Sequence, residues 1–136
     1  MRRTIEEIDK TLEAIRTVIE MKAEVGDITG LTEKFDKLTQ ISGTSSFLVG
    51  ECEEITLEKQ GEVMPALLDK KGLTATVIEM YVKGQFPKEY SQLTTAKRLD
   101  DKIEKTLDGL RSLISYTRSE MENGLKSYRH QPQQKQ

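Results

Sequence analysis

Tryptophan is absent from this 136-residue chain, aromatic residues make up only 5% of it, and cysteine and histidine occur once each. An interior without large rings must be built from Leu, Ile, Val, Met and Ala, the side chains that interlock between helices. The single cysteine, Cys52, excludes an internal disulfide and a disulfide-stapled secreted framework, so a reducing cytoplasm is expected. The single histidine, His130, has no second imidazole or nearby acid at ligand spacing, which argues against a histidine metal site or general base. An excess of one charge is also missing: 21 basic and 23 acidic residues are well mixed and leave a formal charge of −2. No overall field draws such a chain to nucleic acid or an anionic bilayer. There is no apolar run long enough to span a membrane, and Met1-Arg2-Arg3 is followed by Glu6, Glu7, Asp9 and Lys10, unlike an export signal. A soluble protein with no membrane partner is expected. With 35% hydrophobic against 32% charged residues, thin apolar stripes on elongated helices suit the composition better than a compact sphere.

What the chain has is helical periodicity. Leu93, Ala96, Asp100, Ile103, Leu107, Leu110, Ile114, Thr117 and Met121 recur at alternating steps of three and four, the a/d pattern of a coiled-coil seam. The spacing predicts a long helix from about Lys88 to Asn123, entered through Gln85-Phe86-Pro87 and roughly 55 Å long. Gly109, inside that seam, costs about 1 kcal/mol relative to alanine and reads as a close helix crossing. At the other end of the chain, Thr4-Ile5-Glu6-Glu7 has capping-box spacing. Ile5, Ile8, Leu12, Ile15 and Ile19 follow at heptad steps, widened by Val18, Met21 and Val25, until Gly26, Asp27 and Gly30 supply a stop. That first helix, at about 22 residues, covers only roughly 33 Å. The last helix therefore needs partners in the middle of the chain or in another copy, and a homo-oligomer is the economical expectation.

A second helix is predicted from Leu31 or Thr32, with Leu31, Phe35, Leu38 and Ile41 on one face. Ser42-Gly43-Thr44-Ser45-Ser46 has the composition of a loop, yet Phe47, Leu48, Cys52 and Ile55 resume the face at once, so a long helix with a weak point is expected there. Gly61 and Pro65 bracket a further candidate break. Gly72 reads as a C-cap and Thr74 or Thr76 as the next N-terminus, giving a short helix with Leu73, Val77, Ile78, Tyr81 and Val82 that ends at Lys83-Gly84. Beyond Asn123-Gly124, residues 125–136 are polar, glutamine-rich and read as a disordered tail. The expectation is an all-α, elongated antiparallel helical bundle or coiled coil over residues 1–124, with a long C-terminal helix.

No set of residues has the types and spacing of a catalytic centre, a metal site or a cofactor fingerprint, so neither enzyme activity, metal nor cofactor is expected. Cys52 shares an apolar face with Leu48 and Ile55 and reads as a small buried hydrophobe rather than a nucleophile. Glu51, Glu53, Glu54 and Glu58 read as a solvated face. The Gly43 to Gly50 segment holds Thr44, Ser45 and Ser46 between glycines and can aim hydroxyls at phosphate. It matches neither the Walker nor the dinucleotide pattern, and a helix crossing built from small residues is the favoured reading. Lys97, Arg98, Lys102, Lys105, Arg111 and Arg118 punctuate the last helix, diluted by Asp101, Glu104 and Asp108, which favours salt bridges over a nucleic-acid stripe. Arg111 and Arg118 are one heptad apart with Tyr116 nearby. These three, with Ser45 and Ser46, are the candidate ligand-binding residues, for a phosphate held by guanidinium forks. Leu93, Ile103, Leu107, Leu110, Ile114 and Met121 are the candidate core or oligomer seam.

At Lys71-Gly72-Leu73-Thr74-Ala75-Thr76-Val77-Ile78 through Lys83-Gly84, and at Leu110-Arg111-Ser112-Leu113-Ile114-Ser115-Tyr116-Thr117-Arg118-Ser119-Glu120-Met121, the chain resembles small helical accessory proteins of phages and prophages. In those a Lys-Gly turn and short helix precede a long helix with a Leu-rich, Arg-containing stretch. The resemblance spans residues 64–122 and its motifs are structural. It implies a mobile-element setting in the cytoplasm of a host cell, while the Ser/Gly segment at 42–50 departs from the uninterrupted helix of such relatives. The function expected is a non-enzymatic, oligomeric phage-type protein that binds a host or phage macromolecule by occlusion or scaffolding, with countering of host defence as one instance. The alternatives are a protein that sequesters a nucleotide signal between protomers and a single-stranded DNA accessory to recombination or replication. The seam itself is testable: replacing Leu107 and Leu110 together by Asp should collapse both helical content and oligomer size, followed by circular dichroism and sedimentation.

Overall fold

The computed structural model describes residues 2–70 and 72–134, with side chains as far as Leu125. The side chain of His130, and Lys135 and Gln136 of the expected tail, lie outside the described residues. Four helices are present: α1 (Ile5–Ile19), α2 (Ile28–Leu68), α3 (Ala75–Gln85) and α4 (Pro87–Gln134).

Thr4 opens α1 by accepting the Glu7 amide at 3.2 Å. The helix stops at Ile19, well short of Val25, because the seam of Ile8, Leu12, Ile15 and Ile19 would next reach Lys22 and Ala23 and bury nothing large. Val25 is left 66% exposed. Gly26, at φ 96°, turns the connection, and only Ala23 of it packs against the core. Asp27 is part of a start rather than a stop, since its carboxylate accepts the Gly30 amide at 3.2 Å and caps α2, which begins at Ile28, three residues ahead of Leu31. A Cβ on residue 30 would lie 2.6 Å from that carboxylate, so glycine leaves room for the cap.

From there α2 runs unbroken for 41 residues. Leu31, Leu38, Ser45 and Cys52 are all buried and succeed one another by heptads, with Leu48 buried and Ile41 and Ile55 half-buried at the alternate position. Ser42 to Ser46 thus continues the seam, and no weak point interrupts it. The break expected at Gly61 and Pro65 does not occur either. Pro65 is exposed and stands in the last turn, where the missing N–H falls on the Gly61 carbonyl and little of the ladder remains to be disrupted. Asp69 is the C-cap, while Gly72, at φ 84°, belongs to the turn beyond it. Thr74 then caps α3 by accepting the Val77 amide at 3.2 Å. Pro87 occupies the first position of α4, where its missing N–H costs nothing. The backbone of α4 passes through Asn123-Gly124 without ending and stays helical to Gln134, where a disordered tail was expected.

Contacts between Ser45 and Asp100, Glu53 and Lys97, and Phe35 and Arg111 run in opposite directions along α2 and α4 and make them antiparallel. The α1–α2 hairpin lays α1 parallel to α4, where the Gln92 amide donates to the Ile5 carbonyl at 2.9 Å and to Asp9 at 2.8 Å. The core is where these three meet: Ile8, Leu12, Ile15 and Ile19 against Leu31, Leu38, Leu48 and Cys52, and against Ala96, Leu99, Ile103 and Leu110. One position of the α4 seam, Ala96, Ile103, Leu110 and Thr117, is buried throughout. The other, Leu93, Asp100, Leu107 and Ile114, is half-buried. As far as Thr117 the long helix finds its partner in α2 of the same chain, and Met121, one step further, is 52% exposed. The fold is an all-α helical bundle with a long C-terminal helix. Among the described residues no helix is long and apolar enough to cross a membrane.

Gly109 is exposed, and a Cβ built on it meets nothing within 4 Å, so it marks no close crossing. Gly109→Ala should accordingly raise stability by about 1 kcal/mol. Leu38→Ala, at a fully buried seam position, should cost about 2–5 kcal/mol; urea unfolding followed by circular dichroism measures both.

Candidate functional site

Ser45 is 1% exposed at a seam position of α2, and its hydroxyl donates to Asp100 Oδ1 at 2.9 Å, with Ser46 donating to the same oxygen at 3.2 Å. Both hydroxyls face a carboxylate, which would repel a phosphate. Ser45 and Ser46 thus belong to the helix crossing of small residues that the sequence favours, bonded to Asp100 and apart from the groove that holds Arg111 and Arg118, where they would have served a ligand. At the flanking glycines, Gly43 and Gly50, an added Cβ would meet nothing within 4 Å, so the approach of α4 runs through the serine side of α2.

The acidic run of α2 is not simply a solvated face. Glu51 is buried, accepts the Arg3 backbone amide at 2.7 Å and lies 3.9 Å from the Arg3 guanidinium. Arg2 pairs with Glu58 and reaches Glu54 at 3.7 Å. The Arg3 guanidinium also stands 5.7 Å over the Phe47 ring. Residues 2–4 thus form an arm laid along Glu51, Glu54 and Glu58. The signal for it was present in the i, i+3, i+7 spacing of those acids, which matches one helix face. Among the described residues no three His, Cys, Asp or Glu side chains are grouped to hold a metal ion.

The remaining candidates fall on a groove between the first turns of α2 and the later part of α4. Its volume is about 410 Å³ and its lining is Thr32, Phe35 and Asp36 from α2 with Arg111, Ile114, Ser115 and Arg118 from α4. Heptad spacing puts Arg111 and Arg118 on one wall. The Arg111 guanidinium lies 5.5 Å over the Phe35 ring and 2.8 Å from Asp108 Oδ1. Among the described residues Arg118 makes no ion pair. Tyr116 is 57% exposed and is not part of the lining. Phe35, Thr32 and Ser115 complete the groove and were not foreseen as site residues, since nothing local in the sequence links positions 32 and 35 to position 118. Two guanidiniums, two hydroxyls and one ring face can hold an anionic group beside a planar one, on the α4 side of the groove and away from the Asp36 carboxylate on the α2 side.

These features define an all-α bundle in which the buried Ser45, Glu51 and Gln92 are each bonded to a neighbouring element. No family model, curated protein or solved structure matches this chain.

Cys52 gives a measurable signature of the packed seam. Burial, and after it the charge of Glu51, pushes its thiol from the ordinary 9.0 up to about 11. A thiol raised in the folded state adds stability that is complete below pH 9 and is lost as pH climbs toward 11. The unfolding free energy should fall across that window more steeply in the parent chain than in Cys52→Ala. Equal slopes would show that the thiol is not held neutral by the fold.

Proposed function

We propose that the protein is a non-enzymatic accessory protein of phage type that acts by binding a host or phage protein. The observation that supports this reading is the outer face of α3. Val82 is turned into the bundle and is buried, while Val77, Met80 and Tyr81, at helical spacing on the opposite side, are 47%, 70% and 45% exposed. A helix apolar on both sides normally lies between two protein layers, and clustered exposed apolar side chains are a mark of protein contact. The mobile-element setting rests on the resemblance over residues 64–122, which includes α3. Occlusion of a partner surface, for instance one belonging to a host defence, is the mode of action that such a face serves.

A photo-crosslinking residue at position 80 should capture one dominant protein in expressing cells, and that protein, once purified, should bind the parent chain but not Met80→Asp/Tyr81→Asp. Equal labelling from position 13 on the exposed side of α1, or binding unaffected by the double substitution, would defeat the reading.

A second reading, sequestration of a nucleotide, is favoured by the meeting of Arg111, Arg118 and Phe35 in one groove. A nucleotide at 100 times its dissociation constant should add about 2.7 kcal/mol to stability, and Arg111→Ala/Arg118→Ala should abolish the gain in a thermal-shift series. The single-stranded DNA reading draws no comparable support, since the cations of α4 are interspersed with Asp101, Glu104 and Asp108 and Lys97 pairs with Glu53.

A further inference from the structure

The last helix outruns the bundle. Thr117 is buried, yet every residue from Arg118 to Leu125 is exposed, and the α4 backbone remains helical to Gln134. The overhang, residues 118–134, extends about 25 Å at 1.5 Å per residue. A helix of this length standing alone in water is marginal, and this one contains Gly124 and Pro132, both of which disfavour helix.

The apolar stripe does not stop where the bundle stops. Ile114, Thr117, Met121 and Leu125 follow at steps of three and four, and Met121 and Leu125 are 52% and 57% exposed. In the sequence Tyr128 is the next residue in that progression. The apolar stripe that α2 covers from Leu93 to Thr117 is therefore continued without a facing helix from its own chain, with Leu125 beside the strict seam position at Gly124. Beyond Arg118, charge along the overhang is ordered as well, with Glu120 and Glu122 before Leu125 and Lys126 and Arg129 after it. A parallel neighbour of the same sequence would set acid beside acid; an antiparallel one sets each acidic stretch beside a basic one.

We propose that residues 118–129 form a dimerisation arm in which a second copy of this chain lies antiparallel, about a two-fold axis near Leu125. Met121 of each copy then approaches position 128 of the other, and the Glu120–Glu122 stretch of each runs along the Lys126–Arg129 stretch of the other. The contact is isologous and closes at two copies. It is independent of what α3 binds and shares only Arg118 with the arginine groove.

Sedimentation of the full chain over a range of concentrations tests this. The expected behaviour is a monomer–dimer equilibrium with no larger species. Met121→Asp/Leu125→Asp should weaken it at least roughly tenfold while leaving the unfolding transition of the bundle in place, because both side chains are exposed in the single chain. Glu120→Lys/Glu122→Lys leaves only basic charges between positions 120 and 129, and Lys126→Glu/Arg129→Glu leaves only acidic ones. Each should be monomeric alone, and the two should pair when mixed, less so at high salt. A parent chain that stays monomeric at every concentration, a dimer that survives Met121→Asp/Leu125→Asp, or charge variants that fail to pair on mixing would overturn the proposal.

Discussion

The heptad seam between α2 and α4 is the contact on which the other features rest. Neither helix has an apolar stripe wide enough to enclose a core alone, and no tryptophan is available to widen it, so α1 must close the third side. Leu38, Ile103 and Ile15 are covered only because all three stripes converge. An apolar seam by itself tolerates a slip of one heptad, since Leu replaces Leu. The polar groups inside it do not. Sliding α4 by seven residues along α2 would set Asp100 against Leu38 or Cys52 and leave Ser45 without its acceptor. The Gln92 bonds to Ile5 and Asp9 and the Glu51 bond to the Arg3 amide impose a comparable constraint on α1 and the arm before it.

Where periodicity is strong, the sequence is a good guide to this fold. The α4 seam, the Thr4 and Thr74 caps and the short α3 are all legible from spacing and capping residues alone. Helix ends are less so, because the same residue types start and stop helices: Asp27 and Gly30 look like punctuation and are a cap. Ser42–Ser46 has the composition of a loop, yet the face resumed by Phe47, Leu48 and Cys52 already points to the continuous helix that is found, whereas Asn123-Gly124 looks like a terminus although the helix passes through it. Within the groove, the pairing of Arg111 with Arg118 follows from a separation of seven on one helix. The arrival of Phe35 beneath Arg111 depends on the antiparallel register of α2 and α4, which no local pattern encodes. The arm is a sharper case, since Arg2 and Arg3 acquire meaning only when the face bearing Glu51, Glu54 and Glu58 is seen to lie next to them.

Packing is concentrated in the middle of the molecule, and its two ends differ in what they present. The three-helix section uses nearly all the fully buried apolar side chains. At one end α3 contributes Val82 inward and shows Val77, Met80 and Tyr81 outward; at the other, α4 continues alone past Thr117. Two rigid helices hold these ends apart, so a change at one has no obvious short path to the other except through the seam itself.

The antiparallel pairing of α2 with α4 also has a consequence for the order in which the chain can fold. Contacts of α2 with the later chain span progressively longer stretches of sequence, from Lys59 and Phe86 at the α3–α4 turn, through Ser45 and Asp100, to Phe35 and Arg111 at the far end. Closing the shortest loop first and zipping outward spreads the loss of chain entropy over successive small steps. The α1 contacts with Gln92 bridge 87 and 83 positions and favour late docking. During synthesis the α1–α2 hairpin emerges first, yet Ile8, Ile15, Leu31 and Leu38 stay only partly covered until the ribosome has made residues 93–117. The nascent chain therefore carries an open apolar trough for most of its translation.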